Sequence, residues 1–301
     1  MPDGFDAALI APPVRRSDAE AAIEMAGGRM VAACDWSDPA RFIATIGKVP
    51  LLSVEAESVA AAVLDVALPV LGEAIRTTGV RAVVTFDVEQ LEPVFAALMM
   101  HGVELLCGPT LAEQVAALAT HGRLADRGGL SDRVREDEAK RERRIRAQIG
   151  RVAGAIVGGA ERDRGRGGGG VGDRHVSFGF APALESPVDA QTVRQAIRSR
   201  RMRDSFFGDG LFEDPAWDIL LDLYAAHLER QRVSVSSLCI AAAVAPTTAL
   251  RWIARMTEAG LLDRWPDPDD GRRAFITLSR RALEGMEGYA AALDRAGLPF
   301  A

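Results

Sequence analysis

The sequence predicts an α/β part in residues 1–125 followed by a smaller α+β part, and three observations support this division. First, five short apolar runs alternate with helical patterns in residues 1–125. Second, a glycine-rich stretch that includes Arg164–Gly170 follows. Third, the segment Pro246–Ser279 has the order helix, glycine, strand, charged turn, strand. Alternating strands and helices favour a parallel sheet, whereas a helix followed by a hairpin favours a separate α+β module.

The apolar runs of the first part are continuous, which is typical of strands buried on both faces of a parallel sheet. The candidate strands are Ala7–Ala11, Met30–Cys34, Pro50–Val54, Ala82–Phe86 and Val103–Cys107. The candidate helices are Ser17–Ala26, Ala40–Ile46, Ser58–Arg76, Leu91–His101 and Leu111–His121. Five β/α units of this length predict a flavodoxin-like doubly wound sheet.

This order of elements resembles the receiver domain of response regulators, but the residues of phosphotransfer are missing. The resemblance implies an acidic pair after the first strand, an aspartate after the third and a lysine after the fifth. Here Ile10–Val14 holds no acid, Glu55 follows the third strand, and Cys107–Pro109 holds no lysine. Only Thr85 fits the pattern. We expect a degenerate receiver-like part without phosphotransfer; the alternatives are another α/β fold or the binding of a small ligand.

The middle of the chain divides into a charged helical segment and a glycine-rich linker. Residues 126–157 have a broken apolar seam, which predicts a connector helix that is either a dimer contact or a solvated spacer. Residues 158–187 predict a flexible linker. The arginines of Arg164–Gly170 leave non-specific contact with nucleic acid as an alternative role for it.

Two helices are predicted before the hairpin module, and together with it they make up residues 188–301. The pattern Val188–Phe207 is basic, with arginines at positions 194, 198, 200, 201 and 203. We expect this helix either to line DNA phosphates or to dock on the acidic first part. Asp214, followed by Pro215, predicts the start of an amphipathic helix that continues to about Arg230.

The strongest single pattern is the helix that begins at Pro246, a residue suited to the first helical position. Its apolar stripe consists of Ala249, Trp252, Ile253 and Met256, and Gly260 suits the C-terminal cap. The opposite face carries Thr247, Leu250, Arg251 and Ala254, with Thr248 and Arg255 beside it. Hydroxyls, small apolar groups and guanidiniums are the mixture that a helix in a DNA major groove presents. The alternative is an ordinary amphipathic helix with a solvated face.

The neighbours of this helix favour the DNA-binding interpretation. Upstream, Ser236 is the expected N-cap of a short helix, and Ala243–Ala245 form the turn of a helix-turn-helix. Downstream, Leu261–Trp265 and Ala274–Leu278 are expected to pair as a hairpin. The loop Asp267–Arg273 is expected to place Arg272 and Arg273 at the base of the wing, with Asp270 close enough to brace Arg272 and both arginines able to reach a DNA backbone or minor groove.

Residues 214–295 resemble the MarR family of winged-helix regulators. The match is carried by Leu238, Pro246–Thr248, Glu258–Arg264, Asp267–Arg273 and Ile276–Ser279, with the family's Asp-x-Arg wing element at Asp270 and Arg272. The resemblance implies a dimeric winged helix with one helix in the major groove and a wing arginine near the minor groove. The chain departs from the family in two ways. Ala243 replaces a turn glycine and so has to avoid the left-handed region, and a long N-terminal part precedes the module.

The net charge of −6 is unevenly distributed. Residues 1–125 hold 8 basic and 16 acidic side chains, and residues 190–301 hold 15 of each. A neutral part can bind DNA if its arginines share one face, with a strong dependence on salt. Cys34, Cys107 and Cys239 are scattered in apolar runs, which predicts core thiols in a reducing compartment. No apolar run is long enough to span a membrane and no signal-peptide pattern is present, so we expect a cytoplasmic protein without a membrane partner.

Together these patterns predict a transcription regulator and not an enzyme. It is expected to bind a palindromic site in double-stranded DNA as a homodimer, while the receiver-like part assembles it or senses a signalling protein. The expected DNA contacts are Ser236, Thr247, Thr248, Arg251, Arg255, Asp270, Arg272 and Arg273. No catalytic residue, metal or cofactor is expected, because the four histidines lack metal-ligand spacing and no phosphate-binding glycine loop is present. The main alternative is an adaptor whose winged helix binds another protein.

Overall fold

A computed structural model describes residues 4–46, 49, 51–126, 188–208 and 210–300. The expected connector helix and linker, residues 126–157 and 158–187, lie outside the described residues apart from Asp126. The predicted domain boundaries stay predictions. The described residues within 4–125 and 188–300 belong to one compact unit. Within it, we call the described residues of 4–125 the α/β part and those of 188–300 the C-terminal part.

The α/β part alternates strands with helices, as the sequence predicts. Its strands are β1 (Phe5–Ile10), β2 (Gly28–Cys34), β3 (Leu51–Glu55), β4 (Arg81–Phe86) and β5 (Val103–Cys107). Its helices are α1 (Arg16–Met25), α2 (Pro39–Thr45), α3 (Ala61–Thr78), α4 (Leu91–Leu98) and α5 (Leu111–Asp126). A short 3-10 turn, Val88–Gln90, leads into α4. Each strand boundary lies within two residues of its predicted position. Continuous apolar runs mark β1, β3 and β4 because these strands are buried, whereas the edge strand β2 has no fully buried residue.

The five strands form one parallel sheet, which confirms the predicted strand direction. Their order is β2-β1-β3-β4-β5, so β5 is an edge strand. The central strand β3 pairs with β1 and β4, with Leu51 opposite Ala7 on one side and Arg81 on the other. An edge strand leaves one row of backbone N–H and C=O groups without a strand partner. The groups that meet the free edge of β5 come from the C-terminal part, as shown below.

Alternate residues of each strand face opposite helical layers. On one face, Ala7 and Leu9 of β1 lie in a buried cluster with residues of α1 and α5, including Ile23 and Leu118. On the other face, Ile10 lies in a second cluster with residues of α2, α3 and α4. This two-sided burial is the reason that the three inner strands β1, β3 and β4 have continuous apolar sequences.

The C-terminal part consists of helices around a small antiparallel sheet. Its helices are α6 (Ala190–Met202), α7 (Asp204–Phe207), α8 (Pro215–Glu229), α9 (Val235–Ala241), α10 (Pro246–Glu258) and α11 (Arg280–Ala296). Its strands are β6 (Val233–Ser234), β7 (Leu262–Pro266) and β8 (Ala274–Leu278), in the order β6-β8-β7. The Asp214 side chain accepts a hydrogen bond from the Trp217 N–H at 3.4 Å, so the predicted cap of α8 is correct.

Two arginines of the basic helix α6 bind α8 of the C-terminal part, whereas the sequence left docking on the α/β part as one alternative. The other alternative, contact with DNA phosphates, stays a prediction. Arg194 forms ion pairs with Asp222 and Glu229 of α8, at 2.5 Å and 2.9 Å. Arg200 reaches the buried Asp218 of the same helix at 3.0 Å. These arginines are therefore bound to acidic residues within the C-terminal part, and not to the α/β part. Helix α8 attracts α6 because it carries carboxylates on the side that α6 covers.

The two parts share one hydrophobic core. A single cluster of buried residues contains the sheet face described above, Phe95 and Leu98 of α4, and Leu250 and Ile253 of α10. Helix α10 packs on β5, and α9 packs on α4. The sequence interpretation treated the two parts as modules joined by a flexible linker, and it did not anticipate this common core.

Candidate nucleic-acid interface

Helices α9 and α10 form the predicted helix-turn-helix, followed by the β7–β8 hairpin. The two helices are bent by 108° relative to each other, within the usual range for this motif. Among the described residues, no single helix is long and apolar enough to cross a membrane, and only this bent pair passes when its two helices are taken together. The expected N-cap Ser236 is wrong: Ser234 caps α9, and its hydroxyl accepts from the Ser237 N–H at 3.3 Å. Ser236 is already inside the helix.

The turn between the two helices places Ala243 in the left-handed region, with φ of 51°. The sequence interpretation required this residue to stay out of that region, and this expectation is wrong. An alanine pays about 1–2 kcal/mol for such a conformation. The turn nevertheless forms, because the packing of α9 and α10 fixes the positions of both its ends.

Helix α10 begins at Pro246 and is followed by Gly260 in the left-handed conformation, as predicted. Three residues of its predicted apolar stripe, Ala249, Ile253 and Met256, are buried in the core, whereas the fourth, Trp252, is only partly buried. The opposite face, which we call the reading face (Thr247, Leu250, Arg251 and Ala254), differs from its predicted solvent-exposed state. Thr247 is 5% exposed and Leu250 is 3% exposed. The reason is that the edge of the α/β sheet covers the first turns of this face.

Thr247 lies against the edge strand β5 and satisfies its backbone. The Cys107 N–H donates to Thr247 Oγ1 at 2.9 Å, and the Thr247 hydroxyl donates to the Cys107 carbonyl at 3.2 Å. One hydroxyl therefore takes the place that a neighbouring strand would have at this position of the sheet.

Arg251, one turn further along α10, binds the carboxylate of Glu104 on β5. His121 of α5 approaches the same carboxylate at 3.5 Å. Burial raises the pKa of Glu104, but the hydrogen bonds from His121 and Arg251 outweigh burial, so its pKa lies below the ordinary value of 4.5. Glu104 is therefore ionised at neutral pH. Because the Arg251 side chain is half exposed, the pair contributes modestly to stability, on the order of 1 kcal/mol or less.

The helix-turn-helix is also bound at α9, where Glu92 of α4 meets Ser236. The Glu92 carboxylate accepts from the Ser236 N–H at 3.1 Å and from its hydroxyl at 2.6 Å. At the other end of α4, Arg264 of β7 donates to the carbonyls of Ala96 and Met99. Arg264 thereby satisfies free carbonyls at a helix C-terminus, where a cation is favoured.

The hairpin forms the predicted wing, with both arginines at its tip. Asp270 accepts from the Arg272 N–H at 3.0 Å and from its guanidinium at 3.1 Å, so the predicted brace is present. The hydrogen bond from the Arg272 backbone N–H is the main reason that the pKa of Asp270 lies below its ordinary value, and the bond from the Arg272 guanidinium lowers it further. Arg272 also reaches Asp65 of α3 at 3.0 Å. Arg273 lies 3.9 Å from Asp270 and remains largely exposed.

Among the described residues, four of the eight expected DNA contacts form no hydrogen bond or ion pair with the α/β part, namely Thr248, Arg255, Asp270 and Arg273. Thr248 is half-buried, and Arg255 is exposed with its guanidinium 5.1 Å from the centre of the Trp252 ring. Ser236, Thr247, Arg251 and Arg272 instead bind Glu92, Cys107, Glu104 and Asp65. None of these four partners could be recognised from the sequence, nor could the role of Arg264. The one signal that pointed to them was the excess of acidic residues in the first part.

A second polar group lies at the end of β3, where the receiver resemblance places a phosphoacceptor. Glu55 is buried and accepts hydrogen bonds from the Thr85 hydroxyl at 2.5 Å and from the Gln114 amide at 2.7 Å. Burial raises the pKa of Glu55 above its ordinary value of 4.5, although the bond from Thr85 opposes the shift. The Glu55 carboxylate therefore occupies the phosphoacceptor position and is already hydrogen-bonded to Thr85 and Gln114.

We expect Glu55→Gln to stabilise the protein increasingly as the pH rises above 4.5. The folded protein holds this proton more tightly than the unfolded chain, so its stability falls as pH rises through the window between 4.5 and the raised folded pKa. A neutral amide removes that dependence. Urea unfolding just above pH 4.5 and at neutral pH measures how the free energy of unfolding of each protein changes with pH. Glu24→Gln, at an exposed site, is the control, and equal pH dependence of both variants would contradict the prediction.

Comparisons with known proteins give partial likenesses to transcription regulators. No family model matches the sequence, and no curated protein matches it. The DNA complex of MepR from S. aureus is 16% identical, covers 36% of this chain and 83% of that chain, and has a TM-score of 0.26. A probable transcriptional regulator from Pseudomonas aeruginosa is 28% identical, with coverages of 35% and 74% and a TM-score of 0.23. A mutant MarR from E. coli is 16% identical, with coverages of 34% and 71% and a TM-score of 0.24. Likenesses at these TM-scores do not assign the chain to a family.

Proposed function

We propose that this protein is a cytoplasmic regulator of transcription that binds double-stranded DNA through a MarR-like winged helix. The observation that carries the proposal is the α9–α10 helix-turn-helix followed directly by a hairpin with Arg272 and Arg273 at its tip. A helix of this motif enters the major groove with its N-terminal residues at the base edges. Thr247, Thr248 and Arg251 occupy those positions of α10, and Arg255 extends the basic surface by one turn.

The α/β part, in this proposal, is a degenerate receiver-like module that does not transfer phosphate. The strand order 2-1-3-4-5 supports a flavodoxin-like sheet. The bonded Glu55–Thr85 pair supports a switch that does not depend on phosphorylation. We further propose that the protein acts as a homodimer on a palindromic site, because paired modules gain affinity by linkage. A signalling protein is the proposed partner of the α/β part.

A second candidate function is an adaptor whose winged helix binds protein. The observation that favours it is the contact of α10 with β5, since the helix already recognises a protein surface. The two candidates differ in one simple respect: an adaptor has no affinity for duplex DNA that depends on Arg255 and Arg273.

We expect Arg255→Ala and Arg273→Ala to weaken DNA binding, because both guanidiniums are exposed on the proposed surface. Arg273→Ala should also lower the slope of log affinity against log salt by about one phosphate contact. Fragments are first selected from genomic DNA with the purified full chain at low salt, and affinities are then measured by fluorescence anisotropy. Arg280→Ala removes an equal charge from an exposed position on α11 and serves as the control. Equal affinities and slopes for all three variants would refute the proposed surface.

A further inference from the structure

We infer that the α/β part is an internal competitor of DNA, with acidic side chains that occupy the phosphate-binding positions of the winged helix. This inference rests on the proposed function and specifies how it is regulated. In the described arrangement the protein is closed, and DNA has to displace the α4–β5 surface before it reaches the reading face of α10.

The first support is the chemistry of the contacts. Three carboxylates of the α/β part each bind a residue expected to contact DNA: Glu92 binds Ser236, Glu104 binds Arg251, and Asp65 binds Arg272. Hydroxyls, backbone N–H groups and guanidiniums are the groups that bind phosphate oxygens in DNA complexes. A carboxylate presents the same charge sign and the same acceptor atoms to them. The three pairs lie on α9, on α10 and on the β7–β8 wing. Each of the three elements proposed to face DNA is therefore bound to a carboxylate of the α/β part.

The second support is steric. The major groove is about 12 Å wide, and a helix with its side chains has a diameter of about 10–12 Å. No space is left in the groove for a sheet edge against the same helix. The Thr247 hydroxyl is hydrogen-bonded to both the backbone N–H and the backbone carbonyl of Cys107, and Leu250, one turn along α10, is buried. DNA and β5 therefore exclude each other from the first two turns of α10.

The apparent DNA affinity of such a protein equals the intrinsic affinity reduced by the fraction of open molecules. Substitutions that weaken the closed contact without altering the DNA-binding residues should therefore strengthen binding. Glu92 and Glu104 meet this requirement, because both lie in the α/β part. The matched control is Glu24→Gln with Glu89→Gln, which removes the same two charges at exposed positions that form no hydrogen bond or ion pair with the C-terminal part among the described residues.

The test compares the full chain with its Glu92→Gln/Glu104→Gln variant and with the control variant. Affinity is measured by fluorescence anisotropy on a fluorescent duplex of mixed sequence at fixed salt. We expect the double variant to bind at least about tenfold more tightly than the control variant, which corresponds to about 1.4 kcal/mol. Loss of two negative charges alone raises affinity equally in both variants, so only the difference between them reports opening.

Thiol alkylation gives a readout of opening that does not depend on DNA. Cys107 and Cys239 are buried in the common core, and burial raises their pKa values to about 11 and about 12. Opening exposes them, so mass spectrometry should show faster alkylation in the double variant than in the wild type. The partly exposed Cys34, away from the contact, should react at an unchanged rate.

The outcomes separate the inference from the proposed function. Faster alkylation together with tighter binding supports both. If all three proteins bind DNA and the double variant binds no more tightly than the control variant, the inferred competition is wrong. The proposed DNA-binding function is then unaffected. Faster alkylation with no binding of DNA by any of the proteins overturns the proposed function, and the inference with it.

Discussion

Replacing Phe95 by alanine should lower the free energy of unfolding by about 3–5 kcal/mol, the usual cost of removing a buried phenyl ring. Phe95 is fully buried on α4, in the cluster that joins the sheet to α10. The Arg264 guanidinium lies 5.5 Å from its ring centre, so the cation also loses a favourable neighbour. Because the cavity opens in the common core, both parts of the protein should lose stability together.

The measurement is urea unfolding followed by two probes. Tryptophan fluorescence reports mainly on the C-terminal part, which holds Trp217, Trp252 and Trp265, and far-ultraviolet circular dichroism reports on the whole chain. The two transitions should coincide in the wild type and in the variant. Phe206→Ala, at a site that is 75% exposed, should change stability by no more than about 0.5 kcal/mol. Two separated transitions in the wild type would show that the parts fold independently and that the common core has little weight.

Arg264→Met should cost about 1.5–3 kcal/mol, the range for hydrogen bonds that involve a charged group. Methionine keeps much of the aliphatic stem, so the change isolates the bonds to the carbonyls of Ala96 and Met99. Burial lowers the pKa of Arg264, because removal from water disfavours the charged guanidinium. Thermal or urea unfolding measures the loss. A change as small as that of Arg281→Ala, an exposed arginine on α11, would contradict the structural role of Arg264.

The elements of this fold could be predicted because their signals are local. Continuous apolar runs marked the five strands, and Pro246 and Gly260 marked both ends of α10. The charged turn Asp267–Arg273 marked the wing. Each of these signals depends on residues within a few positions of one another, where spacing determines the local conformation.

The contacts between the two parts could not be predicted in the same way. Glu104 and Arg251 are 147 positions apart, and Asp65 and Arg272 are 207 apart, so no periodicity links them. The sequence did show an acidic first part and a basic helix, but the acidic partners of α6 came from the adjacent α8. The reading face of α10 was interpreted as solvent-exposed because its composition suits DNA, and the same composition suits an acidic protein surface.

Hydrogen exchange at β5 tests the central claim most directly, namely that DNA and the α/β part compete for the reading face of α10. The Cys107 amide donates to Thr247 in the closed protein and should exchange slowly. When the selected duplex is added, exchange in Val103–Cys107 should become faster as α10 leaves the edge strand, while exchange in Pro246–Glu258 should become slower. If the duplex binds and Val103–Cys107 keeps its slow exchange, the claim that DNA displaces the α/β part is wrong.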